Sequence, residues 1–292
     1  MTGLAIVLVL TSAVAHASWN LMVRRSETPE LTNWLMAGSG AVVVAPIAVF
    51  MWMENPPDMV GWLFIAGTIA LHIGYFFTLG RAYKYGDLSV VYPVARGLGL
   101  ALIPLLGVTI LAESVSTLAA VGIAAIFIGV ITVGSSSSKG MRVWSQPKTL
   151  LADRGLIFAV MTAVLIATYS VFDKRGVDYV EPVLYMFMLQ LGSFAGLIPL
   201  LGREYTVGEF TQEIRTRWKI GLVGGTLQFL AYGLVLSAFR LSPVSYVGPF
   251  RELGIVFGVI MAALILKESV TLNRGLGAGA IGTGAVLVAI AP

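Results

Sequence analysis

Two arginines lie deep inside apolar stretches of this chain, where a charged side chain is costly. Arg96 lies in LSVVYPVARGLGLALIPLLG and Arg251 in LSPVSYVGPFRELGIVFGVIM. Charge within a membrane-spanning segment marks a functional site by default, and a guanidinium binds carboxylate, phosphate or phosphonate groups through paired N–H donors. The arginines therefore indicate a site for the anionic group of a small molecule. The alternative is a structural pair that Glu252 or helix-end carbonyl groups neutralise.

The two stretches are copies of one another. When the first is shifted by 155 residues, Arg96 falls on Arg251, and further residues coincide: Leu98 with Leu253, Gly99 with Gly254, Glu113 with Glu268, Ser114 with Ser269 and Val115 with Val270. One mismatch carries charge, because Glu252 stands opposite Gly97. A single carboxylate at this depth could carry the proton of a proton-coupled cycle. It could equally be a permanent counter-ion of Arg96, and the sequence leaves both roles open.

Two other apolar segments carry a polar side chain near their middle. His72 has Tyr75 three residues later, and its counterpart Gln228 has Tyr232 four residues later, on the same helix face in each case. Lipid offers these polar groups no partner, so both should point into a helix bundle. There they would either contact a substrate or form hydrogen bonds between helices.

Aromatic and polar side chains at matching positions complete the candidate site. We expect these residues to line it: Trp19, Tyr75, Tyr92, Tyr169 and Tyr232 as walls, with His16 and Asn20 as further polar groups. Tyr92 shares the helix face of Arg96, one turn earlier. Trp19 and its counterpart Tyr169 could instead be ordinary aromatics of the membrane interface.

The composition excludes several classes of protein. Of the 292 residues, 57% are hydrophobic and only 12% are charged, whereas soluble domains carry about 25% charged residues. Without cysteine there is no disulfide and no thiolate metal site. Two distant histidines and the absence of HExxH, GxSxG and Walker motifs argue against a metal centre or direct use of ATP. We therefore expect a membrane protein that is not an enzyme, with no cofactor and no nucleic-acid partner.

Ten segments are long and apolar enough to cross a membrane. They cover residues 3–23, 31–52, 60–83, 88–111, 115–134, 155–173, 182–201, 218–239, 243–266 and 272–291. Most Lys and Arg residues outside these spans lie in the odd-numbered loops, whereas the even loops hold Lys174, Arg175 and Arg240. Because positive charge is retained in the cytoplasm, the odd loops should be cytoplasmic and both termini should lie on the outer face.

The repeat covers both halves of the chain. Trp62 aligns with Trp218 at an offset of 156, and Ala13 aligns with Ala163 at an offset of 150. Five spans per half is an odd number, so the second half enters the membrane in the opposite direction. We predict an all-α integral membrane protein with two inverted five-helix repeats around a central cavity. The first repeat would cover residues 1–134, the linker 135–152 and the second repeat 153–292.

Several short motifs carry a resemblance to a known family: His16-Ala17-Ser18-Trp19-Asn20, Arg81-Ala82-Tyr83-Lys84-Tyr85-Gly86-Asp87, Tyr92-Pro93-Val94-Ala95-Arg96-Gly97, and the helix ends Glu113-Ser114 and Glu268-Ser269. Through these motifs the chain resembles the drug/metabolite transporter superfamily, specifically its EamA-domain family. The resemblance implies a cavity lined by spans 1, 3, 4, 6, 8 and 9, with spans 5 and 10 at the periphery. Members carry amino acids, amines, drugs, nucleotide sugars or other metabolites, mostly outward in bacteria.

These inferences combine into one functional prediction. We expect a secondary transporter or exporter in the bacterial inner membrane that moves a small polar or zwitterionic metabolite, such as an amino acid or related organic anion, by alternating access. Its partners would be the substrate and the lipid bilayer. Proton coupling stays open, as does the choice between monomer and homodimer. The alternatives are another cargo (a phosphonate, a drug or a cationic compound) and a non-transporting membrane scaffold or receptor. A cationic cargo would require Glu252 to neutralise the arginines.

Overall fold

The computed structural model describes residues 1–134, 153–265, 267 and 269–292, so the predicted linker 135–152 and Glu268 lie outside the described residues. Within the described range all regular structure is helical. The helices are α1 (Gly3–Arg24), α2 (Pro29–Glu54), α3 (Met59–Tyr85), α4 (Leu88–Leu111), α5 (Thr117–Gly134), α6 (Arg154–Gly176), α7 (Pro182–Leu201), α8 (Val207–Leu241), α9 (Val244–Phe250), α10 (Leu253–Ile265) and α11 (Leu272–Ile290).

The predicted membrane-spanning architecture is confirmed. Nine segments of the described chain are long and apolar enough to cross a membrane, and one of them, Val244–Ile265, consists of α9 and α10 together. The helix α11 occupies the tenth predicted span. Its mean hydropathy is lower because its first turn contains Asn273 and Arg274 and the helix contains several glycines.

One helix is much longer than its predicted span. The helix α8 has 35 residues, about 52 Å at 1.5 Å per residue, whereas the hydrocarbon core is about 30 Å thick. Its start is fixed by a capping box, in which the side chain of Thr206 accepts from the Glu209 backbone N–H and Glu209 accepts from the Thr206 backbone. Hydropathy detects only the apolar part from residue 218 onward, so the polar first turns of α8 were missed.

Reciprocal glycine contacts between α5 and α11 show that the repeats are inverted. A Cβ atom at Gly122 would meet the Gly284 carbonyl oxygen at 2.7 Å, and one at Gly129 would meet the Gly277 oxygen at 2.6 Å. In the sequence alignment Gly122 corresponds to Gly277 and Gly129 to Gly284. Gly122 therefore contacts the counterpart of Gly129, and Gly129 contacts the counterpart of Gly122, as a two-fold axis requires. The order of contacts runs in opposite directions along the two helices, so they are antiparallel.

The same symmetry relates α4, which carries Arg96, to α10, which begins just after Arg251. On α4, a Cβ at Gly99 would meet Ile166 Cγ2 at 3.1 Å, and on α10 a Cβ at Gly254 would meet His16 Cδ2 at 3.6 Å. Gly254 is the repeat counterpart of Gly99, and His16 is the counterpart of Ile166. The close packing of α4 on α6 is thus repeated by α10 on α1. In both contacts the first helix of one repeat packs against the fourth span of the opposite repeat.

The helix ends repeat as well. Ala112 and Lys267, which are 155 residues apart, both have a left-handed backbone with φ of 56°, an uncommon conformation for residues other than glycine. The sequence alone marked Glu113 only as a span boundary. In the structure its carboxylate accepts hydrogen bonds from the backbone N–H groups of Val244 at 2.8 Å and Ser245 at 2.9 Å. Glu113 therefore caps the N-terminus of α9, where a negative charge is stabilised by the helix dipole.

Candidate functional site

The ninth span is broken at its charged residues. The helix α9 ends at Phe250, Arg251 and Glu252 form a turn, and α10 begins at Leu253. The turn is tightened by hydrogen bonds between residues three apart, from Glu252 N to Pro249 O and from Ile255 N to Glu252 O. Pro249 contributes because it has no N–H to donate to the preceding turn. By contrast, α4 continues without a break past Arg96.

The break brings three charges together. Arg96 Nη2 lies 3.2 Å from Glu252 Oε2, and Arg251 Nε lies 3.7 Å from Glu252 Oε1. The side chains are largely buried: Arg96 is 13% exposed, Arg251 9% and Glu252 4%. Both predicted pairings of the arginines with Glu252 are thus present in the structure. One carboxylate faces two guanidiniums, so the cluster of Arg96, Arg251 and Glu252 keeps a net positive charge.

This charge cluster is incompletely hydrogen-bonded. Among the described residues, Arg96 Nε, Arg251 Nε, Arg251 Nη2 and Glu252 Oε2 are buried without a hydrogen-bond partner. The ion-pair distances above are short enough for Coulomb attraction, but the groups are not aligned as donors and acceptors. The Arg251 guanidinium instead lies 6.0 Å from the centre of the Tyr169 ring. Buried donors of this kind are costly unless a further acceptor reaches them.

An aromatic layer lies beside the charges, centred on Tyr169 of α6. The ring of Tyr169 is 4.2 Å from that of His72, 5.7 Å from Tyr75 and 6.0 Å from Tyr232, measured between centroids. His72 is buried, and its Nδ1 lies 2.9 Å from the Thr68 carbonyl oxygen of its own helix. The layer therefore joins α3, α6 and α8 at the level of the arginines.

A buried carboxylate in this layer was missed by the sequence analysis. Asp173 is 0% exposed and accepts hydrogen bonds from Tyr232 at 2.6 Å and Tyr185 at 2.8 Å. It also lies within electrostatic range of His72. In the sequence Asp173 precedes Lys174 and looks like the polar end of a span. Its repeat counterpart is Val23, so the end of this span does not require a carboxylate. This mismatch was the sequence signal that could have marked Asp173 as a candidate.

The residues predicted on α1 divide between the centre and the exterior. His16 lies within electrostatic range of both arginines, and its ring is 5.2 Å from Trp19 in an edge-on contact. The Trp19 indole N–H has no partner among the described residues. Asn20 is exposed and donates to the His16 carbonyl oxygen of its own helix at 2.8 Å. His16 and Trp19 thus join the central group, whereas the Asn20 side chain is occupied by its own helix.

Gln228 is engaged between helices. Its Nε2 donates to Asn33 Oδ1 on α2 at 2.9 Å, and its Oε1 accepts from Gln190 on α7 at 3.4 Å. This is the interhelical alternative that the sequence left open for a mid-span polar group. Both partners lie on spans two and seven, which have no predicted site residue.

The two ends of the bundle differ in packing at equivalent positions. Tyr83 is 38% exposed and its counterpart Phe239 is 0% exposed; Tyr92 is 37% exposed and its counterpart Val247 is 0%. The end with the buried residues also contains Asp173 and its two tyrosine donors. Equivalent positions are therefore buried at the end where α9 begins and partly exposed at the end where α4 begins.

Comparison with known proteins agrees with this architecture. A solved crystal structure of a protein has the same fold, with a TM-score of 0.72 at 17% sequence identity, over 98% of this chain and 96% of that one. Residues 153–290 match the model of the EamA-like transporter family. The second half of the chain is therefore similar to the EamA-like transporter family, part of the drug/metabolite transporter superfamily.

Proposed function

We propose that this membrane transporter is a secondary transporter for a small polar or zwitterionic metabolite that carries a carboxylate or a related anionic group. The observation behind this proposal is the cluster of two buried guanidiniums around one carboxylate. Its net positive charge and its unpaired donors on Arg96 and Arg251 suit an anionic ligand. An amino acid would place its carboxylate there and its side chain against the layer around Tyr169.

Substrate binding would change the pairing of Glu252. An incoming carboxylate that reaches the free N–H groups of Arg251 satisfies donors that Glu252 leaves unpaired. Such a bond stabilises the bound state by the desolvation cost that the buried donors otherwise carry, about 1–3 kcal/mol per group. Glu252 would remain with Arg96 as its counter-ion. The ion-pair distance of 3.2 Å between Arg96 and Glu252 supports the counter-ion role.

We further propose that transport proceeds by alternating access, outward across the bacterial inner membrane. Broken helices at the centre of inverted repeats are the usual place of substrate and ion sites in secondary transporters. The break at Arg251 and Glu252 supports this assignment, and so does the unequal exposure of Tyr92 and Val247. In the opposite state, the end with Tyr92 would close and the end with Val247 would open.

A cationic cargo is the competing proposal. It would be favoured if the arginines were fully neutralised, and Glu252 does pair with Arg96. The same carboxylate also lies within 4 Å of Arg251, so one negative charge pairs with two positive charges. The remaining positive charge repels a cation at this site, so the anionic ligand is favoured.

The test is transport by the purified protein in proteoliposomes, with labelled amino acids, organic anions, phosphonates and organic cations, with and without a pH gradient. We expect a zwitterionic or anionic solute to cross, and we expect Arg96→Gln and Arg251→Gln each to reduce its transport at least tenfold. Arg175→Gln is the matched control, because this exposed arginine lies at the end of α6. Full transport by both central variants, or transport of cations alone, would contradict the proposal.

A further inference from the structure

A basic groove lies away from the central site, between the C-terminal end of α1 and the first half of α8. It has a volume of about 390 Å³. Its floor is apolar, and its rim is positively charged: Met22, Ile220 and Val223 form the floor, and Arg25, Arg217 and Lys219 form the rim. Ile220 and Val223 are 37% and 54% exposed, so the floor opens on the outer surface of the bundle. The groove thus combines an apolar flank with concentrated positive charge.

The repeat-related groove on the opposite side is filled by the chain itself. The counterpart of Met22 is Phe172, which packs against Gly67, the counterpart of Val223. The Phe172 ring also lies 4.8 Å from that of Phe64, the counterpart of Ile220. One copy of the groove therefore has an aromatic side chain as its occupant, whereas the other copy is open.

The open copy of the groove also carries more positive charge than the filled copy. Lys219 corresponds to Leu63 and Arg217 corresponds to Gly61, so two rim cations are found only in the open copy. Arg217 lies 3.6 Å from Glu213 and is partly neutralised, and Lys219 lies 5.5 Å from the centre of the Trp218 ring. Tryptophan beside lysine and arginine is typical of the level of the lipid headgroups. The open copy also lies at the end of the bundle whose loops are rich in Lys and Arg.

We propose that this groove binds an anionic phospholipid. The headgroup phosphate would lie among Arg25, Arg217 and Lys219, and an acyl chain would run along Ile220 and Val223 in place of the aromatic ring that fills the other copy. Basic pockets between membrane helices favour anionic headgroups, because the cationic rim attracts the phosphate and the apolar floor accepts the chain. A soluble anion would use the rim but would gain nothing from the exposed apolar floor.

The experiment measures lipid binding to the detergent-purified full chain by native mass spectrometry and by melting temperature, during titration with phosphatidylglycerol or phosphatidylcholine. We expect phosphatidylglycerol to bind and to raise the melting temperature, and phosphatidylcholine to do neither. Each rim cation should contribute about a fivefold increase in affinity, so Arg25→Gln with Lys219→Gln should weaken binding by about 25-fold. Val223→Trp, which fills the groove and keeps its charge, should also weaken binding.

Arg175→Gln is the matched control, because Arg175 is the repeat counterpart of Arg25 beside the filled copy. It should bind phosphatidylglycerol as the unmodified protein does. Equal weakening in Arg175→Gln and in the rim variants would show general charge attraction and overturn the proposal. Unchanged binding in both the rim variants and Val223→Trp would also overturn it. So would competition by millimolar inorganic phosphate, which would identify a soluble-anion site.

Discussion

Exchanging Glu252 for glutamine should destabilise this protein far more than the same exchange at its surface. The Glu252 side chain is 4% exposed and faces two arginines, of which Arg96 is 13% exposed. Removing one partner of a buried ion pair leaves an uncompensated charge and costs about 3–5 kcal/mol. The pair of Arg240 and Glu181 is the matched control: its contact is shorter, at 2.7 Å, but its side chains are 42% and 46% exposed. An exposed pair contributes only about 0–1 kcal/mol.

The assay is thermal unfolding in detergent of the Glu252→Gln, Arg96→Gln, double and Glu181→Gln variants. At about 2–4 °C per kcal/mol, Glu252→Gln should lower the melting temperature by roughly 10 °C, and Glu181→Gln by no more than about 4 °C. The double variant should be more stable than the sum of the two single effects predicts, because it removes both members of the pair. The reasoning is refuted if Glu252→Gln has the same melting temperature as Glu181→Gln. It is also refuted if the effects of Glu252→Gln and Arg96→Gln add in the double variant, because the buried charges then do not stabilise one another.

Two further predictions concern the helix contact and the missed carboxylate. Gly284→Ala should lower the free energy of unfolding by about 1–3 kcal/mol, because its Cβ would lie 2.5 Å from the Gly122 carbonyl oxygen. Gly282→Ala is the control: its Cβ would meet nothing within 4 Å, so the melting temperature should be unchanged or higher. Equal effects of the two substitutions would contradict the packing argument. Asp173→Asn should lower the free energy of unfolding by about 1–3 kcal/mol, since an amide has one acceptor oxygen for the hydroxyl groups of Tyr185 and Tyr232. Asp178→Asn, at an exposed position, is the control in the same thermal assay. If the two variants have the same melting temperature, the prediction for Asp173 is refuted.

The spans and the repeat could be predicted because each depends on a local property of the sequence. Hydropathy marks the apolar length of each helix, and a fixed offset aligns Arg96 with Arg251. The helix α8 is the exception, because its polar first turns, Val207–Arg217, begin at a capping box and do not depend on apolar length. A hydropathy window cannot detect such a segment.

The partners of the polar side chains could not be predicted in the same way. Gln228 and His72 occupy equivalent positions, yet Gln228 bonds to Asn33 and His72 faces Tyr169. The difference depends on which side chains the neighbouring helices place against each position, which no single segment encodes. Asp173 was missed for a related reason, because burial at a helix end depends on what the neighbouring helix places against it.

The symmetry between the repeats is broken at the arginines. In the first repeat α4 is continuous past Arg96. In the second repeat the chain turns at Arg251 and Glu252, where hydrogen bonds between residues three apart replace the α-helical pattern. The Glu252 carboxylate lies in this turn and pairs with Arg96 of the continuous helix. Under the proposed function, a ligand that binds Arg251 would therefore act at this turn, next to the contact that joins the two repeats.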